Sequence, residues 1–197
     1  MSTFLNNGFS LENFLEDREK RVEKQKKILE KYSGTLVVVR ANYPGESKTE
    51  YPSTEIIKVI SQEVKNYFKR EIIYAEESLT LEGAIEFFVI QLDVNKVKKE
   101  CILIEEKHPL GRFVDIDVYD SLGNSVSRTA YGFTQRKCYL CDEAAVVCTR
   151  AVKHPISHIK NHILKSYEKY LLNENIRVRV SEKLGELALK ACILELS

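Results

Sequence analysis

Two aspartates stand two positions apart in the segment HPLGRFVDIDVYD, residues 108–120. Side chains alternate across a strand, so Asp115 and Asp117 are predicted to point to the same face. The opposite, packed face is expected to hold three apolar side chains: Val114, Ile116 and Val118. Carboxylates about 5 Å apart repel each other by on the order of 3 kcal/mol at an effective dielectric of 20. A divalent cation would remove that repulsion, and Mg²⁺ suits one or two carboxylates together with substrate phosphates.

The alternation Asp-apolar-Asp-apolar also matches the metal-binding strand of nucleotidyltransferase-type enzymes, in which metal ions hold the nucleophile and a triphosphate. The Gly-Ser phosphate loop expected upstream in that class is missing from ILIEEKHPLG. A surface strand with two acids facing water is the commoner explanation of the spacing alone. Phe113 and Tyr119 are expected on the same face as the aspartates. The spacing by itself leaves both interpretations open.

The elements that must position this strand follow from hydrophobic periodicity and turn residues. The predicted helices cover 10–32, 52–70 and 93–108, and the predicted strands cover 35–43, 71–78, 84–92 and 112–120. Asp93 is expected to cap the third helix. The segment SLGNSVSR is expected to be a hairpin turn that leads into a partner strand. This order predicts an α+β fold, with α/β as the alternative: a mixed sheet flanked by helices, nucleotidyltransferase-like, with a helical, cysteine-containing C-terminal region.

Composition and charge narrow the class of protein. The 197 residues include 44% hydrophobic and 30% charged residues, an ordinary globular balance. A formal net charge of +1 favours neither nucleic acid nor a membrane surface as partner, so a phosphorylated ligand would need a local basic site. The N-terminal sequence lacks signal-peptide features, and no stretch approaches the ~20 apolar residues of a spanning helix. We therefore expect a cytoplasmic protein with reduced cysteines, of which Cys101 and Cys192 fill the core.

A cysteine-rich segment follows the aspartate strand. Cys138-x-x-Cys141 has the spacing of a structural zinc site, and Cys148 and His154 could complete a set of three thiolates and one imidazole. Against zinc, Cys148 lies in the apolar run AAVVC, where a buried free cysteine is common. The sequence leaves both a structural Zn²⁺ site and simple packing open.

Several motifs occur together and in order between residues 10 and 165: ANYPGESK, HPLGRFVDIDVYD, SVSR, RKCYLC and CTRAVKH. Together they resemble the apo-citrate lyase phosphoribosyl-dephospho-CoA transferase family, also called holo-citrate lyase synthase. Gly-Arg-x-x-Asp-x-Asp-Val is the most specific motif, and Phe113 stands where the family usually has Leu. The resemblance implies transfer of phosphoribosyl-dephospho-CoA from 2'-(5''-triphosphoribosyl)-3'-dephospho-CoA to a serine of the citrate lyase acyl-carrier (gamma) subunit, with release of pyrophosphate.

This implied chemistry, displacement at the innermost phosphate of a triphosphate, agrees with a metal site at the aspartates. In that hypothesis Asp115 and Asp117 hold Mg²⁺, and Arg112 neutralises the phosphates. Further basic residues are predicted to neutralise the phosphates: Lys48, Arg40, Arg128 and Arg136. The alternative for each is an ordinary surface charge. Candidates for a third carboxylate are Glu76, Glu77 and Glu86.

Two other functions and a domain boundary stay open. The equivalent transferase for malonate decarboxylase uses the same prosthetic group. A non-catalytic module that docks a carrier protein would use the cysteine segment as its interaction surface. We expect a transferase domain over 1–170 and an amphipathic helix over 171–197. That helix resembles the opening helix of the triphosphoribosyl-dephospho-CoA synthase, which would make it the start of a fused domain.

Overall fold

A computed structural model describes the backbone of residues 11–45 and 47–194, and the side chains of 12–45 and 47–175. The expected packing of the Cys192 side chain and residues 195–197 of the predicted last helix lie outside this description. The helices are α1 (Leu11–Lys31), α2 (Ser53–Tyr67), α3 (Val94–Lys107), α4 (Ala145–Arg150) and α5 (Ile156–Leu194). The strands are β1 (Thr35–Ala41), β2 (Ile72–Thr80), β3 (Gly83–Ile90) and β4 (Val114–Tyr119). The predicted α+β class is confirmed.

The sheet is antiparallel throughout, so the predicted mixed sheet is wrong. Its strand order is β2-β3-β1-β4, and every neighbouring pair is antiparallel. The helical crossovers through α2 and α3 do join strands that run in the same direction. An oppositely directed strand lies between each of these pairs, because β3 separates β1 from β2 and β1 separates β3 from β4. The alternation of helices and strands could not reveal these intervening strands.

Each face of the sheet packs against different helices. On one face, alternate residues of β1, β3 and β4 form a core with α2 and α3, joined by Ile163 and Tyr167 of α5. On the other face, Leu36, Val38 and the remaining apolar residues of β3 pack against α1 through Ile28. The alternation of the strands therefore separates the two cores. Cys101 lies fully buried on α3, as predicted.

Two local predictions fail around β4. Phe113 does not share the aspartates' face, because a 3₁₀ turn at Gly111–Phe113 precedes the strand and directs its ring into the α2–α3 core. The segment after β4 forms no partner strand beyond an isolated bridge between Tyr119 and Ser125. Asp120 instead closes a tight turn by accepting hydrogen bonds from the backbone N–H groups of Leu122 and Asn124, both at 2.9 Å.

The C-terminal region is helical only in part. Cys138 and Cys141 lie in irregular chain, and Cys148 lies on the short helix α4. Helix α5 runs without interruption from Ile156 to Leu194, so its backbone continues across the predicted boundary between residues 170 and 171.

Helix α1 is fixed to the β2–β3 turn by a buried ion pair. Arg21 Nε lies 2.5 Å from Glu82 Oε2, and the two side chains are 7% and 6% exposed. One turn earlier, the Asp17 carboxylate accepts a hydrogen bond from the backbone N–H of Leu81 at 2.9 Å. These contacts hold α1 across the face of the sheet that carries Asp115 and Asp117.

Replacing Arg21 by Met should lower the free energy of unfolding by about 3 kcal/mol or more, because the Glu82 carboxylate would stay buried without its partner. Urea denaturation followed by circular dichroism measures the change. Lys27→Met is the control, since Lys27 pairs with Glu23 on the exposed side of the same helix and its loss should leave stability unchanged. Equal effects of the two substitutions would contradict this role of Arg21.

Candidate active site

Asp115 and Asp117 lie on one face of β4, as the alternation predicts. Val114, Ile116 and Val118 are buried on the opposite face, in the core with α2 and α3. The aspartate side chains are 38% and 34% exposed. They lie on the α1 side of the sheet, where Arg40 is the β1 partner of Asp115 and Val38 that of Asp117.

Each aspartate is paired with an arginine. Asp117 Oδ2 accepts hydrogen bonds from Arg40 Nη2 at 2.6 Å and from Arg40 Nε at 3.1 Å. Asp115 Oδ1 accepts one from Arg136 Nη1 at 2.7 Å. The repulsion between the two carboxylates is therefore offset within the protein itself. Among the described residues, no side chain or backbone donor bonds the second oxygen of either carboxylate.

Arg136 also closes the free edge of β4. Its Nη1 donates to the Val114 carbonyl at 2.8 Å, and its guanidinium forms an ion pair with Glu105 of α3. The Glu105 side chain is only 5% exposed, and its Oε1 accepts a hydrogen bond from the backbone N–H of Ile116 at 2.8 Å. Lys98, two turns earlier on α3, donates to the Ile116 carbonyl at 3.4 Å. The edge groups that position Asp115 are therefore satisfied by buried side chains.

The turn that carries Arg112, just before β4, packs its backbone directly against the backbone of α3. A Cβ atom at Gly111 would lie 2.5 Å from the Ile104 carbonyl oxygen, so only glycine fits there. Arg112 Nη2 donates to the Lys137 carbonyl, and its guanidinium carbon lies 4.5 Å from the centre of the Tyr139 ring. Arg112 Nη1 is buried and bonds no acceptor in the described chain.

Four basic residues surround Asp115, and all four are predicted phosphate ligands. Burial lowers the pKa of Lys48, and the Asp115 carboxylate partly offsets this effect. Burial likewise lowers the pKa of Arg112. Burial opposes the charge of Arg40 and Arg136 too, but their carboxylate partners raise the pKa of both, Asp117 for Arg40 and Glu105 for Arg136.

The fifth predicted basic residue, Arg128, lies in a 3₁₀ turn and forms an ion pair with Glu106 of α3. Arg128 is therefore paired with an acidic residue of α3, whereas the other four basic residues lie around Asp115. The four basic residues around Asp115 also differ in the acceptors that they bond. Arg40 and Arg136 each contact a carboxylate, whereas Lys48 bonds the Tyr43 carbonyl and Arg112 the Lys137 carbonyl.

A cleft of about 420 Å³ opens where β1 ends and the cysteine segment crosses it. Lys48 and Arg112 line it, together with apolar side chains from α4 and the start of α5. Tyr139 forms one wall, and its hydroxyl donates to the Asn42 carbonyl at 2.7 Å. Burial raises the pKa of the Tyr139 hydroxyl, which stays protonated at neutral pH. Tyr139 was not predicted from the sequence, although it lies between the two cysteines of Cys138-x-x-Cys141.

A second, more polar groove lies on the α1 side of β4. It is lined by Asp117 and Arg40 and by three basic residues of α1: Arg18, Arg21 and Lys26. Only the tertiary contact with β4 shows that some of these cations face the sheet.

None of the proposed third carboxylates lies beside the aspartates. Glu86 is on the opposite face, where its carboxylate lies 2.8 Å from Lys65 of α2, and Glu77 is its direct partner across the strands. Glu76 pairs with Lys24 at 2.7 Å. Its strand, β2, is separated from β4 by two other strands.

The four predicted zinc ligands converge in space. The Sγ atoms of Cys138, Cys141 and Cys148 and a ring nitrogen of His154 all lie within 4.8 Å of one another. The cluster borders the 420 Å³ cleft, to which Cys138, Cys148 and His154 contribute. The four side chains come from three different segments. Cys138 and Cys141 lie in a loop, Cys148 lies on helix α4, and His154 lies in the chain that precedes α5.

Comparison with known proteins decides the family. The sequence model of the family described as apo-citrate lyase phosphoribosyl-dephospho-CoA transferase matches residues 9–170. The chain belongs to this family. It is 28% identical over 177 residues to a Streptococcus pyogenes serotype M3 protein named "Probable apo-citrate lyase phosphoribosyl-dephospho-CoA transferase", a match that covers 87% of this chain and 92% of that protein. A Vibrio cholerae serotype O1 protein of the same name is 30% identical over 151 residues, covering 75% and 85%.

A further relative is Protein CitXG of Haemophilus influenzae, which is 30% identical over 188 residues. That match covers 91% of this chain and 40% of the relative, so the relative is much longer. The family identifies the chain as an enzyme, a transferase that acts on apo-citrate lyase, as its motifs indicated. Within the described residues, no helix combines the length and apolar character needed to span a bilayer.

Truncating Glu105 to Ala should lower the free energy of unfolding by about 3 kcal/mol, because the Ile116 N–H would lose its acceptor and Arg136 its main counter-charge. Glu106→Ala, the next position of α3, should cost no more than about 1 kcal/mol, since its carboxylate is half exposed. Chemical denaturation of both variants measures the difference. Similar losses at the two positions would rule out the edge contact as a major support of β4.

Proposed function

We propose that this chain transfers the phosphoribosyl-dephospho-CoA group to a serine of the citrate lyase acyl-carrier (gamma) subunit, and that the reaction takes place in the cleft beside Asp115. The observation that supports this location is the unsatisfied guanidinium of Arg112. Its Nη1 is buried and donates no hydrogen bond to any described residue, and the Arg112 side chain lines the cleft. A buried guanidinium N–H without an acceptor is costly, and a phosphate oxygen would satisfy it.

Lys48 and Arg112 are the proposed phosphate ligands of the cleft. Both line it, and both contact backbone carbonyls rather than carboxylates, so their charges are available to an anion. Burial lowers the pKa of both residues and so disfavours their charged forms. A bound triphosphate would counteract this effect, because its negative charge favours the charged forms. Arg40 and Arg136, by contrast, are held by acidic partners. We assign Arg136 to positioning Asp115, because its donors are already engaged.

The aspartates fit a magnesium site of the nucleotidyltransferase type. They share one face, both are about one-third exposed, and each directs only one oxygen at its arginine. The second oxygens of Asp115 and Asp117 would serve as metal ligands, with the remaining ligands coming from water and phosphate. Bound Mg²⁺ would neutralise charge on the triphosphate and on the attacking oxygen.

The proposed reaction is a displacement at the innermost phosphate of the donor. The serine hydroxyl releases its proton to solvent and its oxygen forms a bond to that phosphorus, the bond from phosphorus to the bridging oxygen breaks, and pyrophosphate leaves with the electron pair of that bond. Lys48 and Arg112 would hold the outer phosphates in place and stabilise the charge that develops on the leaving group. The apolar walls formed by α4 and α5 would contact the uncharged parts of the donor.

Asp115→Asn and Asp117→Asn should each lower the rate of transfer by at least about 100-fold, because each loses a charged metal ligand. Mass spectrometry of apo acyl-carrier subunit, incubated with Mg²⁺ and the triphosphoribosyl donor, measures the added group. Asp142→Asn is the control, since this carboxylate is 98% exposed and lies on the surface of the cysteine segment. Near-normal transfer by both aspartate variants, with folding intact, would refute the metal role.

Arg112→Gln should weaken donor binding and transfer by about 100-fold or more, since a charge-assisted phosphate contact is lost. Arg70→Gln, at an exposed site after α2, is the matched control and should behave as the unsubstituted enzyme. Initial rates over a range of donor concentrations separate the effect on KM from that on kcat. An Arg112→Gln variant with unchanged kcat/KM would place the triphosphate elsewhere.

A further inference from the structure

We propose that Cys138, Cys141, Cys148 and His154 bind a structural Zn²⁺ ion that holds the wall of the cleft in place. A tetrahedral zinc site with Zn–S bonds of 2.3 Å has ligand atoms about 3.8 Å apart. Here Cys141 Sγ lies 3.4 Å from Cys148 Sγ and 3.3 Å from His154 Nε2, and the whole set lies within 4.8 Å. Small shifts of the side chains would therefore complete the coordination.

The backbone around Cys138 and Cys141 is arranged to present both sulfurs. Residues 137 and 144 form an isolated antiparallel bridge, and Cys138 N donates to the Glu143 carbonyl at 2.7 Å. The N–H of Leu140 points at Cys138 Sγ from 3.5 Å. A backbone N–H directed at sulfur stabilises a thiolate, which is the form that binds zinc.

The surrounding segment has almost no core of its own, which is an independent reason to expect a metal. Among residues 131–160, Cys148 is the one buried residue, at 5% exposure. Exposed apolar residues include Val147 at 50% and Val152 at 78%. Yet the segment follows a defined path with few regular elements. Short stretches that cannot bury enough apolar surface are commonly fixed by a metal or disulfides.

A disulfide between Cys141 and Cys148 is the alternative that the geometry allows. It would leave Cys138 and His154 next to the cluster without a role, whereas zinc uses all four residues. A closed set of four protein ligands also leaves no open position for substrate, so the proposed ion is structural rather than catalytic.

The proposed site acts on the cleft through the residues between its ligands, a consequence that rests on the proposed function. Tyr139 lies between Cys138 and Cys141 in the chain, and its ring packs under Arg112. Lys137, directly before Cys138, supplies the carbonyl that Arg112 bonds. Zinc would therefore fix both contacts that orient the Arg112 guanidinium.

The test is metal analysis of the full chain purified without added zinc, for which we expect about one Zn²⁺ per chain. Cys141→Ser should lower zinc affinity by at least about 100-fold, since even partners of metal ligands cost 10–100-fold when lost. Cys101→Ala is the control and should keep its zinc, because Cys101 lies on α3 outside the cluster. Equal zinc content in Cys141→Ser and the unsubstituted chain would overturn the proposal.

A second measurement keeps the test decisive if Cys141→Ser does not fold. The unsubstituted chain, stripped by a chelator and loaded with Co²⁺, should show the visible bands and thiolate charge-transfer bands of a tetrahedral site. A chain that takes up neither metal, or in which thiol titration after denaturation reveals a Cys141–Cys148 disulfide, would refute the site. Metal content is read without the transfer reaction, so failure here is distinguishable from failure of the proposed active site.

Discussion

The ion pair between Glu105 and Arg136 is the contact on which the arrangement of the site depends. It lies at the free edge of β4, where backbone groups would otherwise need water. Glu105 satisfies the Ile116 N–H and Arg136 the Val114 carbonyl, and the same guanidinium reaches Asp115. Because these acceptors and donors are largely buried, they fix the strand and the carboxylate together. The cysteine segment begins at Arg136, so its position follows from this pair as well.

The distribution of charge divides the basic residues into two kinds. Arg40 and Arg136 offset the charges of the two aspartates and orient their carboxylates. Lys48 and Arg112 contact carbonyl oxygens and remain available to an anionic ligand. The proposed function needs both kinds, because the phosphates of the donor and the two carboxylates would otherwise repel each other.

Hydrophobic periodicity was enough to predict each helix and strand up to β4, and strand alternation was enough to place Asp115 and Asp117 on one face. Arg40 and Arg136 were predicted as phosphate ligands, but their pairing with the aspartates could not be predicted, because Arg40 and Asp117 are 77 positions apart in sequence and meet only through strand pairing. The mixed sheet was predicted wrongly for the same reason, since strands that are distant in sequence pair with each other. The zinc-type spacing did predict which four side chains converge, since that spacing reflects local turn geometry.

Backbone groups along the free edge of β4 are already hydrogen-bonded to side chains, which limits how the carrier protein can approach. Extended segments often bind a sheet by adding one more strand, which requires unpaired N–H and C=O groups along an edge. At β4 these groups are occupied by Glu105, Lys98 and Arg136, and the Val118 carbonyl by the N–H of Val126. The proposed function therefore requires the acceptor serine to reach the cleft without adding a strand to the edge of β4.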